Sequence, residues 1–188
     1  MSKIGIFFGT DTGTTRLIAK KLMKQLGEPI CAKPLNVNRI SADEFMAHKA
    51  LILGTPTYGE GQLPSLDLNV KNGSWQDFLP ALENRDMSDK TIALFGLGNQ
   101  VKYGDRFVNG LIHLYHFFGE RGATLIGDWS TEGYDFEHSE AIVNGRFVGL
   151  ALDNKNQALL TESRMKAWLS HIQAPLKHAA GISEQAVA

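Results

Sequence analysis

Directly after the first apolar run, Thr10-Asp11-Thr12-Gly13-Thr14-Thr15 packs four hydroxyls and a row of backbone amides into one short turn, with a helical pattern behind it. Such a turn aims its N–H groups and the positive end of the following helix at a single point, which suits an oxyanion and above all a phosphate. The lysine of a nucleoside-triphosphate P-loop is missing, and so is the G-x-G-x-x-G turn of a dinucleotide site. What remains is a cradle for a monophosphate, with Thr10, Thr12, Thr14 and Thr15 donating hydroxyls and Asp11 to Thr15, Gly13 included, donating amides. The alternative is that one threonine simply caps the helix, although four around one glycine exceed what a cap requires.

Two later loops have a different chemistry. Thr55-Pro56-Thr57-Tyr58-Gly59-Glu60-Gly61 sets an aromatic ring between hydroxyls and flexible glycines. Glycine at 59 lets the adjoining peptide plane rotate at little steric cost. Gly96-Leu97-Gly98-Asn99-Gln100-Val101-Lys102-Tyr103-Gly104 repeats the combination of backbone polar groups and a tyrosine. Tyr58 and Tyr103 are placed to sandwich one planar heterocycle whose edge is bonded by backbone groups; the alternative is a surface tyrosine beside an ordinary turn. No Ser-His-acid arrangement is legible. His113 and His116 stand three apart on a helical stretch without a third metal ligand, and ordinary packing explains them better. Cys31, the only cysteine, excludes an internal disulfide and a cysteine-built cluster.

The elements that must position these loops alternate. Ile4–Phe8, Ile30–Val37, Ala50–Gly54, Thr91–Gly96 and a fifth run beginning at Ala123–Ile126 read as strands, the buried ones stopping at glycine. Helical patterns lie between them: Thr15–Leu26 ended by Gly27, a capping box at Ser41-Ala42-Asp43-Glu44 leading to about His48, Trp75–Leu82 behind Ser74, Asp105–Glu120, and Glu162–His178. This order predicts an α/β doubly wound five-stranded parallel sheet, order 2-1-3-4-5, with helices on both faces. The three loops follow strands one, three and four, where such sheets collect their ligands. Asp128–Phe136 is expected to be an excursion interrupting the last strand, which resumes over Phe147–Leu152. One domain is expected over 1–178, with a frayed tail from 179 to 188.

Composition narrows the function classes. The chain has 188 residues, 43% of them hydrophobic, and a net charge of −1. No apolar run approaches the roughly 20 residues of a membrane helix, and the start leads into a strand, not a signal peptide, so no membrane association and a cytoplasmic location are expected. Residues 51–138 carry 12 acidic and 6 basic side chains, the opposite of what a nucleic-acid binder needs.

The three loop sequences Gly9–Thr15, Gly54–Gly61 and Gly96–Gln100 resemble, in order and spacing, the flavin-binding loops of the flavodoxins. The segment from Trp129 to Phe136 is similar to the extra loop of their long-chain subgroup. The resemblance covers about residues 3–172, and Leu35-Asn36-Val37-Asn38-Arg39 and Phe147–Asp153 look most like flavodoxins associated with nitrogen fixation. It implies a flavodoxin-like fold, FMN as cofactor and one-electron carriage between the semiquinone and hydroquinone, with no catalysed reaction. It further implies a monomer that meets redox proteins, an upstream reductase and a downstream acceptor such as the nitrogenase iron protein. The first loop would hold the FMN phosphate without a basic residue. Tyr103 would stack on the outer flavin face, Tyr58 would flank the inner one, and backbone around Asn99, Gly59 and Glu60 would bond the pyrimidine edge and N5. The peptide between Gly59 and Glu60 turns over on reduction in that family.

Two positions depart from the family: Asn99 stands where aspartate is common, and Lys102 adds a positive charge beside the stacking tyrosine. Both would make a second electron easier to accept. Two rival functions share the scaffold. An FMN-dependent NAD(P)H:quinone reductase would oxidise nicotinamide steadily. A cofactor-free receiver domain would need several carboxylates where only Asp11 stands in the first loop.

Overall fold

The structure, a computed structural model, describes residues 3–10 and 12–183. Its centre is a parallel sheet built from β1 (Gly5–Phe8), β2 (Leu35–Asn36), β3 (Ala50–Pro56), β4 (Thr91–Leu97), β5 (Thr124–Ile126) and β8 (Leu150–Leu152). The order is β2-β1-β3-β4-β5, and β8 pairs with β4 further along the same edge. Thus β4 aligns Thr91–Ala93 with Thr124–Ile126 and Phe95–Leu97 with Leu150–Leu152, so two half-strands share one place in the sheet. This is the five-stranded doubly wound arrangement with an interrupted last strand that the sequence predicts.

Because successive strand side chains point to opposite faces, each strand feeds two cores. Ile6, Phe8, Ile52, Ala93, Phe95, Leu150 and Leu152 face α1 (Thr14–Leu26) and α5 (Thr161–Ala179), where Leu22, Trp168 and Ile172 are buried. Phe7, Leu51, Leu53, Ile92, Leu94 and Ala151 face the other way, toward α2 (Ala42–Met46), α3 (Trp75–Phe78) and α4 (Gly110–Gly119), with Phe45, Trp75 and Phe118 buried among them. The sheet is therefore covered on both sides and its carboxyl edge is left to the loops.

Several boundaries differ from expectation, each for a physical reason. The strand expected over Ile30–Val37 is paired only at Leu35–Asn36 and at a single Ile4–Cys31 bridge, because Pro34 between them has no N–H to give the ladder. The helix from Ser74 is α-helical only to Phe78 and finishes as a 3-10 turn over Leu79–Leu82 carrying Pro80 near its start. The helix expected from Asp105 is broken: a 3-10 turn at Gly104–Arg106 stops, Val108 takes φ 51°, and α4 begins only at Gly110. A β-branched residue in that conformation is strained. It is held there by the complete burial of Val108 and of its neighbour Phe107, whose ring meets Tyr134, Phe136 and Phe147 of the inserted segment.

The insertion itself folds back as a hairpin, β6 (Ile142–Val143) with β7 (Arg146–Phe147), around an Asn144-Gly145 turn with both φ values positive. Phe147 therefore belongs to this hairpin, and the last strand resumes only at Leu150. At the C-terminal end the helix runs to Ala179, and Ala180 and Ile182 are buried against the α1/α5 core. Of the frayed tail expected from 179, residues 184–188 lie outside the described residues. Among the described residues no helix is long and apolar enough to cross a membrane.

Candidate functional site

The loops after β1, β3, β4 and β8 meet at the carboxyl edge of the sheet and enclose a cleft of about 490 Å³. That volume is in the usual range for small-molecule sites, roughly 300–1,000 Å³.

One end of the cleft is polar. Thr10, Thr12, Thr14 and Thr15 line it, and Thr10 Oγ1 accepts the Gly13 N–H at 3.0 Å, keeping its own proton to donate. Gly13 precedes α1 with φ 91° and gives the helix no side-chain cap, and the first turn of α1 contains no acidic residue. The threonines therefore do not cap the helix. Its first amides and its positive end open on the cleft with nothing acidic in the turn to offset them, which is the donor chemistry of an anion site. Asp11 lies outside the described residues.

The other end is apolar and flat-walled. Pro56 and Tyr58 come from the loop after β3; Leu97, Tyr103, Phe107 and Val108 come from the loop after β4. Tyr103 is 43% exposed, so its ring forms the outer wall. Thr57 also lines the cleft, and its Oγ1 accepts the Gly110 N–H at 3.1 Å, tying the second loop to the start of α4. Gly59, at φ 50°, turns the chain beneath this end, and a Cβ there would stand 2.2 Å from Gln62 Oε1. Gln62 instead accepts the Glu60 N–H at 3.3 Å and its backbone pairs with Tyr58. Gly98 and Asn99 complete the lining predicted from the sequence.

Three predicted residues serve the cleft from behind its surface, and a fourth points away from it. Thr55 is buried, with its hydroxyl donated to Pro56 O at 2.9 Å. Gly96 lies inside β4, where a Cβ would come 2.6 Å from Leu111, so its role is the close approach of α4. Gly104 accepts the Glu137 and His138 amides at 2.9 and 2.8 Å, fastening the third loop to the insertion. Glu60 points outward, 84% exposed, and pairs with Arg106.

Five lining residues escaped sequence reasoning: Arg106, Phe107, Val108, Asn154 and Lys155. Asn154 and Lys155 carried a usable signal, since they follow the last strand as the other loops follow theirs. The organiser of that fourth loop is Asp153, 1% exposed. Its carboxylate accepts the Lys155 and Asn156 amides at Oδ1 and the Gln100 amide and Asn156 Nδ2 at Oδ2, all within 3.0 Å. Asn99 Oδ1 joins the same network, accepting Lys102 N–H and Asn156 Nδ2, each at 2.9 Å.

The insertion braces this wall from outside. Gln100 Oε1 accepts the Asp135 amide at 2.6 Å. Tyr134 donates to Ala151 O at 2.6 Å and accepts Trp129 Nε1 at 2.9 Å, and burial pushes its phenol up to about 12. The His113 and His116 alternative finds no support: His113 Nε2 lies 3.0 Å from Gly61 O, and no cluster of metal-ligating side chains occurs among the described residues.

Against known proteins, the flavodoxin family model matches residues 6–168. A flavodoxin of Klebsiella pneumoniae is 50% identical over 92% of this chain and 98% of its own length. Flavodoxin 1 of Azotobacter vinelandii is 39% identical over 92% and 97%. The crystal structure of Fusobacterium nucleatum flavodoxin bound to flavin mononucleotide superposes with a TM-score of 0.82, at 36% identity, over 93% of this chain and 99% of that one.

Proposed function

This chain belongs to the flavodoxin family, and on that premise we propose that its cleft holds FMN and that the protein carries electrons one at a time between redox partners at low potential. It is an electron-transfer protein and not an enzyme. The observation that carries this function is the cleft's two-ended chemistry: a hydroxyl- and amide-lined helix start without a side-chain cap at one end, and a tyrosine-walled slot at the other. These residues fit a flavin monophosphate.

Thr10, Thr12, Thr14 and Thr15, with the amides from Asp11 to Thr15, would hold the phosphate. Tyr103 and Tyr58 would wall the ring and keep water from it, and Asn99 and the Gly59–Glu60 peptide would offer it backbone donors and acceptors. When bound, FMN supplies the capacity to accept and release single electrons. The protein's contribution would be electrostatic: an added electron is an added negative charge, which a bound phosphate disfavours and the cationic lining residues Arg106 and Lys155 favour.

We propose a single domain spanning 1–178, and the hairpin insertion between β5 and β8 supports a long-chain assignment. For the acceptor we propose the nitrogenase iron protein, on the strength of Leu35–Arg39 and Phe147–Asp153; electron-transfer rates to that protein test it. The excursion at 128–136 is proposed to shape the docking surface, and unchanged partner rates after shortening it would remove that role. We further propose that the protein is cytoplasmic and monomeric.

The decisive experiment is an anaerobic reductive titration of the purified protein followed by visible absorption. Stoichiometric FMN reduced in two resolved one-electron steps is expected. A direct two-electron reduction with steady NAD(P)H oxidation would instead identify a quinone reductase, and failure to bind flavin would overturn the assignment of the cleft.

A further inference from the structure

Arg106 is a charged side chain in the cleft wall that no loop motif announces. Its guanidinium reaches across the mouth of the cleft and joins two loops. On one side it pairs with the Glu60 carboxylate and lies 3.5 Å from the Gly59 carbonyl oxygen. On the other it pairs through Nε with Asp105 Oδ1 at 3.1 Å and stands 5.9 Å from the centroid of the Tyr103 ring.

The Gly59–Glu60 peptide is consequently held at both ends: its carbonyl faces Arg106 and its N–H faces Gln62 Oε1 at 3.3 Å. Glycine at φ 50° leaves that plane otherwise easy to turn. An ordinary surface ion pair contributes little, but this cation is only 21% exposed while its Glu60 partner is 84% exposed. The carboxylate is therefore screened by water, and the cation faces the cleft. Among the described lining residues the charged ones are Arg106 and Lys155, with no carboxylate among them.

We propose that Arg106 is a positioning residue that latches the Gly59–Glu60 peptide to the Tyr103 loop, and that its charge sets how readily the cleft accepts a second electron. The proposal rests on FMN occupying the cleft, as above. A guanidinium suits both tasks, since it offers several donors in a fixed plane and stays charged at every working pH.

The test uses the holoprotein and three variants, Arg106→Gln, Arg106→Lys and Glu60→Gln, with both one-electron midpoint potentials measured by spectroelectrochemistry. Arg106→Gln is expected to make uptake of the second electron about tenfold less favourable, a fall of about 59 mV. Arg106→Lys should keep most of the wild-type value. Glu60→Gln, which removes the screening partner, should shift the equilibrium the opposite way, and 0.5 M salt should shrink both shifts. A merely structural bridge would move Arg106→Gln and Glu60→Gln in the same direction, and that result would overturn the electrostatic role, as would an unchanged second potential in Arg106→Gln.

The latch is read separately in the apoprotein, where hydrogen exchange at the Glu60 amide should quicken severalfold in Arg106→Gln. Unchanged exchange there would overturn the positioning role. Wild-type protein that fails to bind FMN would defeat the assignment of the cleft; wild-type protein reduced in two steps with insensitive variants would defeat only the role of Arg106.

Discussion

Replacing Asn99 by aspartate adds one negative charge to the cleft wall without removing a hydrogen bond. Asn99 Oδ1 already acts as an acceptor, for Lys102 N–H and for Asn156 Nδ2, both at 2.9 Å. A carboxylate oxygen accepts both bonds equally well, so the loop after β4 should keep its shape and the folding free energy should change by less than about 0.5 kcal/mol. The cofactor should respond to the charge alone. Coulomb's law gives, for an illustrative separation of about 7 Å, about 0.6 kcal/mol in bulk water and about 2.4 kcal/mol at an effective permittivity of about 20. Divided over one electron these limits correspond to about 25 and 100 mV. Asn99 is half-buried on a rim open to solvent, and Lys102 beside it partly offsets the new charge, so a fall of about 25–50 mV in the second midpoint potential is expected. Spectroelectrochemical titration at 50 mM and 500 mM salt measures it, and the shift should shrink at the higher salt. A second potential that stays put or rises, in a protein whose unfolding is unchanged, would refute the idea that fixed charges on this wall control the second electron.

Gly59→Ala should lower apoprotein stability by about 1–2 kcal/mol and weaken FMN binding, because φ 50° disfavours any side chain and the new Cβ would meet Gln62 Oε1 at 2.2 Å; chemical denaturation and flavin-fluorescence titration measure the two effects. Asp153→Asn should cost nearly as much as Asp153→Ala, about 2–3 kcal/mol, since the amide replaces one accepting oxygen with an NH2 group that faces two N–H donors in a buried network; a fully tolerated Asp153→Asn would show that the fourth loop is held by other means. Thr14→Val should weaken FMN binding at least tenfold and leave riboflavin binding unchanged, since only the former has a phosphate for the first loop. Burial pushes the Cys31 thiol up from 9.0 to about 11. The folded state therefore keeps this proton where the unfolded state loses it, so its contribution is complete below pH 9 and falls as pH rises from about 9 to 11. Urea unfolding across that range should show a decline that Cys31→Ala flattens, and the native thiol should resist alkylation at pH 8.

Much of this molecule was local enough to read. Runs such as Ala50-Leu51-Ile52-Leu53-Gly54 and Thr91-Ile92-Ala93-Leu94-Phe95-Gly96 can only be strands buried on both faces, and their alternation with amphipathic helices dictates a parallel doubly wound sheet. That topology puts the loops at one edge, and it brings Thr10, Thr12, Thr14, Thr15, Thr57, Tyr58, Asn99 and Tyr103 together as expected. Even the interruption of the last strand was visible, as a polar, aromatic stretch between two apolar ones.

Glycine was the ambiguous letter. A missing Cβ serves a ligand or a protein neighbour alike, and sequence cannot say which: Gly59 turns the chain under the cleft, whereas Gly96 admits Leu111 and Gly104 receives the inserted segment. The break before α4 had a local signal in Asn109-Gly110, a turn dipeptide, but its geometry was hidden. Only the burial of Phe107 against rings at 134, 136 and 147 forces Val108 through a left-handed turn. Arg106 enters the cleft as a consequence, and its Glu60 partner lies 46 residues earlier in the chain. The sequence by itself determined the strands and their order, the phosphate-type turn and the two tyrosine-bearing loops, since each is written in a local run of residues. Tertiary structure decided which charges face the cleft and which backbone is held under strain, because those depend on contacts between segments distant in sequence.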